Sequence, residues 1–269
     1  MAKYKIVFSD IDGTLLNSNH QITRGTLESV QKLQQNGIPF VLVSARMPRG
    51  IVPLLEELKI NAPIICFSGA LVLGPVQKDG TREVLSNKSL NSKDVKEIYT
   101  LVAERFSTIS FSAYNEDNWL VTSQGDEWVI QERLITGTHP QPFHLDDDIH
   151  QSINKIMCMG SPHAIEALER ELKEHHPELT IYKSKPTYLE IMAQHVKKSA
   201  AIEELIKLYR VTKEEIIALG DNFNDIDMLR YAGLGVAMGN APDEVKLAAE
   251  IVTLSNDEDG VKLILEKYC

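Results

Sequence analysis

The sequence predicts an α/β fold: a parallel sheet covered by helices, with an α+β region inserted into it. Three observations carry that prediction. Short apolar runs alternate with helix-periodic segments at the start of the chain, and runs apolar along their whole length are those buried on both faces of a parallel sheet. The rhythm changes after about Val72, where short alternating runs and longer helical patterns mix. The strict alternation of helix and strand then resumes from Lys198.

Lys5–Ser9 reads as the first buried strand, closed by Asp10-Ile11-Asp12-Gly13-Thr14. Leu27, Val30 and Leu33 recur at helical spacing, with Thr23 as N-cap and Gly37 as the stop. Ile38–Val43 is a second strand and ends at Ser44-Ala45-Arg46. Pro48 opens a helix through Leu58, a position where proline costs no hydrogen bond. Pro63–Phe67 is a third strand, ending at Ser68-Gly69-Ala70. In the inserted region, Ile109–Tyr114 and Trp119–Ser123 read as strands, and Asp94–Arg105 and His163–His175 as helices. Ser199–Tyr209 (helix), Glu215–Leu219 (strand), Ile226–Tyr231 (helix), Leu234–Ala237 and Ile251–Leu254 (strands) and Asp257–Tyr268 (helix) complete the chain. The expected organisation is a Rossmann-like three-layer core, residues 1–82 with 188–269, and an inserted α+β domain, 83–187.

Composition narrows the function. A chain of 269 residues, 43% hydrophobic and 25% charged, has room for two moderate domains. A formal charge of −10 argues against nucleic-acid binding, which needs excess Lys and Arg. Cys66, Cys158 and Cys269 have neither metal spacing nor a disulfide framework, which fits a reducing compartment. With no leader and no apolar run of membrane-spanning length, a cytoplasmic protein without membrane contact is expected. No feature demands an obligate oligomer, so a monomer or weak homo-oligomer is expected.

Four polar clusters fall at the carboxyl ends of predicted strands: Asp10-x-Asp12-Gly13-Thr14, Ser44-Ala45-Arg46, Ser68-Gly69-Ala70 and Gly220-Asp221-Asn222-Phe223-Asn224-Asp225. Open α/β sheets bind ligands at that edge, so the clusters converge on one site. Alone, each Asp pair reads as a turn or cap; together Asp10, Asp12, Asp221 and Asp225 concentrate charge that a cation must relieve. Oxygen-only donors favour Mg²⁺, completed by water and a substrate phosphate. The bland reading suffices elsewhere. His144–His150 reads as an acidic connector, His175-His176 as a helix C-terminus, Asp257-Glu258-Asp259 as a helix start, and Trp119 and Trp128 as core.

"DIDGTLL", "VLVSAR", a lysine opening a helix, and "ALGDNFNDIDML" with "AGLGVAMGNA" resemble the haloacid dehalogenase superfamily. More closely, the chain resembles its Cof-type, class IIB-capped sugar-phosphate phosphatases, over essentially its whole length. The resemblance implies a Mg²⁺-dependent phosphomonoester hydrolase working through an aspartyl-phosphate on a small phosphorylated metabolite, with the inserted domain as a mobile cap. Asp10 is then the nucleophile and Asp12 the general acid and base, its environment holding a proton at neutral pH. Metal ligands are Asp10, the Asp12 backbone carbonyl, Asp221 and, directly or through water, Asp225. Lys198 bridges Asp10 and the phosphate, with Lys197 as its rival. Ser44, Ala45, Arg46, Gly69 and Asn224 surround phosphate or substrate, with Arg46 and Tyr188 as candidate specificity contacts. The chain departs from the family at Ala45, Ser68, His195 and Ser199. A phosphomutase, or a sugar-phosphate-binding regulator without turnover, are the alternatives.

Overall fold

The computed structural model describes residues 3–148 and 150–269, with the Asp148 side chain left aside. The strands in chain order are β1 Ile6–Ser9, β2 Phe40–Val43, β3 Ile64–Cys66, β4 Leu71–Val76, β5 Arg82–Asn87, β6 Ser110–Asn115 and β7 Asn118–Val121. They continue as β8 Gln141–Pro142, β9 Lys155–Met159, β10 Thr180–Lys185, β11 Tyr188–Met192, β12 Ile216–Gly220, β13 Leu234–Ala237 and β14 Ile251–Val252. The helices are α1 Arg24–Gln35, α2 Val52–Leu58, α3 Ser92–Arg105, α4 Glu127–Thr136, α5 Leu145–Asp148 and α6 Pro162–His175, then α7 Lys198–Tyr209, α8 Ile226–Tyr231, α9 Asp243–Ala248 and α10 Gly260–Tyr268. No helix among the described residues is long and apolar enough to cross a membrane.

The chain forms two compact units, Met1–Ser86 with Lys197–Cys269, and Asn87–Val196. In the first, the strand order is β14-β13-β12-β1-β2-β3-β4-β5. β1 runs parallel to both β12 and β2, pairing Ile6 with Ile216 and Val7 with Phe40, and β4 turns back antiparallel to β3. β1 and β2 are buried at every residue, as their unbroken apolar runs require. One face of the sheet, with Phe8, Val41, Val43 and Ala218, packs on Ala201, Ile202 and Leu205 of α7 and Met228 of α8. The chain leaves β1 for β2 on one side and returns as β12 on the other, so the strand order reverses at β1. That reversal is where such sheets bind ligands.

The second unit is a six-stranded sheet, β10-β11-β9-β6-β7-β8, mostly antiparallel. Phe111, Ile156, Cys158 and Ile191 pack on Val95, Ile98 and Val102 of α3 and Ile165, Leu168 and Leu172 of α6. It spans Asn87–Val196, against expected boundaries at 82/83 and 187/188. Tyr188–Met192 hydrogen-bonds with β10 and β9 as an interior strand, so the unit extends to Val196. A continuous apolar run such as "YLEIM" has the same appearance in a parallel core or at the centre of an antiparallel sheet. Asp257-Glu258-Asp259 also differs from expectation. It forms a 3₁₀ turn before α10, and Asp257 accepts from Ser18 N–H and O–H (2.8 and 2.6 Å).

Candidate active site

β1 delivers the first two carboxylates. The Asp10 N–H continues the parallel ladder onto the Leu219 carbonyl (2.9 Å), which fixes Asp10 at the strand end. Asp10 itself is only 7% exposed. The chain then turns sharply through Gly13, whose φ of +83° and lack of Cβ are both required: a Cβ there would collide with the Asp221 carboxylate. Thr14 Oγ1 donates to Asp221 Oδ1 (2.7 Å), and Asn240 Nδ2 donates to the Gly13 carbonyl (2.9 Å). The β1 turn, the Asp221 loop and the loop after β13 are thereby tied into one unit.

Lys198, the first residue of α7, is 1% exposed and donates to Asp10 Oδ1 (2.5 Å), Asp225 Oδ1 (2.6 Å) and the Val43 carbonyl (3.3 Å). Lys197 caps the same helix from an exposed position, so only one of the two lysines enters the carboxylate cluster. Asp225 is fully buried. Its second oxygen accepts from the Asp221 and Asn222 N–H groups (3.0 and 2.9 Å) and shapes that turn. Asn224 is half-buried, and its side chain has no hydrogen bond to the described residues.

The Ser44 side chain accepts from the Arg46 N–H (3.2 Å), an arrangement that leaves its O–H able to donate. Ala45 is half-exposed beside it. Phe67, Ser68 and Gly69 have φ of +49°, +53° and +108°, three consecutive left-handed residues. The Phe67 and Ser68 N–H groups latch onto the Arg46 and Ser44 carbonyls (3.1 and 2.9 Å). Gly69 lies under the Lys197 carbonyl, which a Cβ would strike. Its place is to let the β3 end pack against the start of α7. His195, at a position where the resemblance implies glycine, keeps a glycine-like φ of +62°.

Asp12 is half-exposed, and both carboxylate oxygens accept from Arg46: Nε at 2.8 Å and Nη2 at 2.5 Å. Arg46 Nη1 also donates to the Gly50 carbonyl (3.1 Å), which fixes the guanidinium. The Asp12 side chain lies outside the cluster formed by Asp10, Asp221 and Asp225, whose ligand oxygens fall within 4.8 Å of one another.

Residues 7–265 match the haloacid dehalogenase-like hydrolase family. The chain belongs to that family. A Haemophilus influenzae relative, named provisionally as a phosphatase, is 42% identical over 264 residues, 98% of each chain. Phosphatase YwpJ of Bacillus subtilis is 29% identical, covering 96% of this chain and 97% of its own. Among solved structures, the HAD subclass IIB sugar phosphatase BT4131 is 27% identical with a TM-score of 0.83, covering 97% of this chain and 98% of that one. TM0651 of Thermotoga maritima gives 29% and 0.88, covering 99% and 98%.

In this hydrolase the electrostatics of the cluster follow from burial. Burial pushes the Asp10 carboxyl well above the ordinary range; Lys198 opposes this, while Asp225 and Asp221 add to it. Burial likewise takes Asp221 to about 6, against the Thr14 hydrogen bond and with Asp225 pushing the same way. Burial pulls Lys198 down, but Asp10 and Asp225 outweigh it and raise the ammonium above its usual value. Three carboxylates against one ammonium leave an excess of negative charge. An oxygen-only donor set with that excess fits a hard divalent cation. Thr14 and Asn240, which hold the cluster in place, were given no role from the sequence. Their signals were the residue closing "DIDGT" and the asparagine of "MGNA".

Proposed function

We propose that this phosphatase hydrolyses phosphomonoesters of small phosphorylated metabolites through an aspartyl-phosphate on Asp10, with Mg²⁺ as its cation. The observation that carries the reading is Lys198, buried and bonded to both Asp10 and Asp225 at the carboxyl end of β1. Lys198 holds Asp10 Oδ1, which leaves the other oxygen to attack phosphorus as the bond to the leaving oxygen breaks. Asp12 supplies that oxygen with a proton. In the second half Asp12 takes a proton from water, water attacks phosphorus, and the bond to Asp10 breaks to release inorganic phosphate. The two Arg46 bonds hold the Asp12 carboxylate in one orientation for both roles. Lys198 and the Ser44 hydroxyl stabilise charge on the phosphoryl oxygens, the main source of catalysis in phosphoryl transfer.

Asp10, Asp221 and Asp225 would hold Mg²⁺, and the part of Asp12 there falls to its backbone carbonyl. When bound, the cation would neutralise charge on the transferring phosphoryl group. The range of substrates named for relatives supports a sugar phosphate or a cofactor-type phosphate. Besides the sugar phosphatase, YitU of Bacillus subtilis, 28% identical, is named a 5-amino-6-(5-phospho-D-ribitylamino)uracil phosphatase. The test is Mg²⁺-dependent phosphate release across a metabolite panel, with Asp10→Asn as control. Turnover is expected to disappear in the variant, and retained turnover refutes the mechanism.

A further inference from the structure

The turn that carries Asp12 is held from behind by a distant part of the chain. Between Asp12 and Leu16 the backbone closes on itself: the Leu16 N–H donates to the Ile11 carbonyl (2.9 Å), and Leu16 pairs with both Asp12 and Ile22. Leu16 is therefore the residue against which the Asp12 backbone rests. Its carbonyl accepts from Asn256 Nδ2 (2.8 Å), a contact across 240 positions of sequence. A carbonyl oxygen only accepts, so the amide nitrogen of Asn256 is the group that must face it.

Asn256 is itself firmly placed. It is 9% exposed and opens the 3₁₀ turn Asn256–Glu258. Ser255 and Glu258 cap that turn reciprocally, with Ser255 Oγ donating to Glu258 Oε2 (2.6 Å). The Asn256 N–H donates to Asn240 Oδ1 (3.1 Å), and Asn240 Nδ2 holds the Gly13 carbonyl (2.9 Å). One asparagine thus reaches the turn directly at Leu16 and through Asn240 at Gly13. Arg46 fixes the far end of Asp12, its carboxylate. Asn256 fixes the near end, the backbone from which that carboxylate projects.

We propose, on the reading of Asp12 as the acid of the first step, that Asn256 is a positioning residue for its proton transfer. Through the Leu16 carbonyl, the Asn256 side chain sets where the Asp12 carboxyl meets the leaving oxygen. Loss of the Nδ2 donor strands a buried carbonyl and frees the turn to shift. A displacement of about 1 Å in a reacting group costs about 10²-fold in rate. That loss should fall on substrates whose leaving oxygen needs a proton. An alkoxide needs one, whereas p-nitrophenolate leaves without it.

The full chain is assayed with p-nitrophenyl phosphate and with the best alkyl phosphate of the metabolite panel. The comparison is of kcat/KM, which reports the step in which the leaving oxygen departs. Asn256→Ala is expected to lower it about tenfold more for the alkyl ester than for the aryl ester. Hydrogen exchange of the Leu16 N–H, read by NMR, is expected to quicken about tenfold. Thr253→Val is the control. It removes a buried bond of the same kind in the same segment, from Thr253 Oγ1 to the Gly260 carbonyl (2.9 Å), away from Leu16 and Gly13. It should lower Tm while the ester ratio and the Leu16 exchange keep their wild-type values. Asn256→Asp, of equal size but without the donor, should repeat the alanine result and carries the test if Asn256→Ala does not fold. Equal losses on the two esters, or unchanged Leu16 exchange, overturn the proposal. Asp12→Asn on the same esters separates the two readings. Selectivity there without selectivity in Asn256→Ala removes only the positioning role; no selectivity in Asp12→Asn removes the acid role and the positioning role together.

Discussion

Lys198→Met removes the one ammonium between Asp10 and Asp225 while keeping most of the side-chain volume. In the wild type its Nζ lies 2.5 and 2.6 Å from the two carboxylates, and the three side chains are 1%, 10% and 0% exposed. Deleting one partner of a buried ion pair costs about 3–5 kcal/mol, because the remaining charge stays desolvated. Two carboxylates are stranded here, so the upper part of that range is expected at pH 8. The penalty has a relief route. Burial already raises Asp10, so the variant can take up a proton that the unfolded chain would not hold. A folded state that binds more protons loses stability as pH rises, so the deficit should shrink on going from pH 8 to pH 5.5. Mg²⁺ should also restore more stability to the variant than it adds to the wild type. The assay is urea unfolding followed by far-UV circular dichroism. Fluorescence is unsuitable, since Trp119 and Trp128 both lie in the other compact unit. Lys197→Met, at the exposed neighbour, serves as control and should stay within about 0.5 kcal/mol of wild type. A Lys198→Met deficit below about 1 kcal/mol at pH 8, or one independent of pH, refutes the reasoning; mutational scatter at ordinary sites is of that size.

Asp221→Asn should make the metal-free protein more stable than wild type at pH 7. A carboxyl moved from 3.8 to about 6 by burial carries about 3 kcal/mol of penalty when ionised, an upper value for a partly solvated group. The raised value means that the folded state holds the extra proton between those two limits. The gap between the proteins should therefore close as pH falls from 6 towards 4, and Mg²⁺ should stabilise only the wild type, which thermal unfolding at several pH values measures. Asp12→Asn should depress phosphate release by about 10²–10⁴-fold through loss of acid–base catalysis, with little change in stability. Steady-state rates paired with unfolding curves separate the two effects, and an unchanged rate removes Asp12 from the chemistry.

What was legible in the sequence was whatever a strand end fixes. Asp10, Ser44 and Asp221 follow directly from buried apolar runs, so a strand assignment from periodicity also places each of them at the same sheet edge. The choice between Lys197 and Lys198 was not legible in this way. It depends on which residue is the N-cap, and a shift of one position exchanges an exposed side chain for a buried one. Contacts between distant segments were hidden for a different reason. Asp12 and Arg46 lie 34 positions apart on separate strand ends, and no local pattern states that one guanidinium will occupy both carboxylate oxygens. Their pairing follows from β1 and β2 being adjacent and parallel, which brings the two turns together. Local pattern thus identifies which groups are available for chemistry, whereas their charge state and partners are set by tertiary contacts. That is why Asp12 could be named from the sequence, but not the Arg46 guanidinium that holds it.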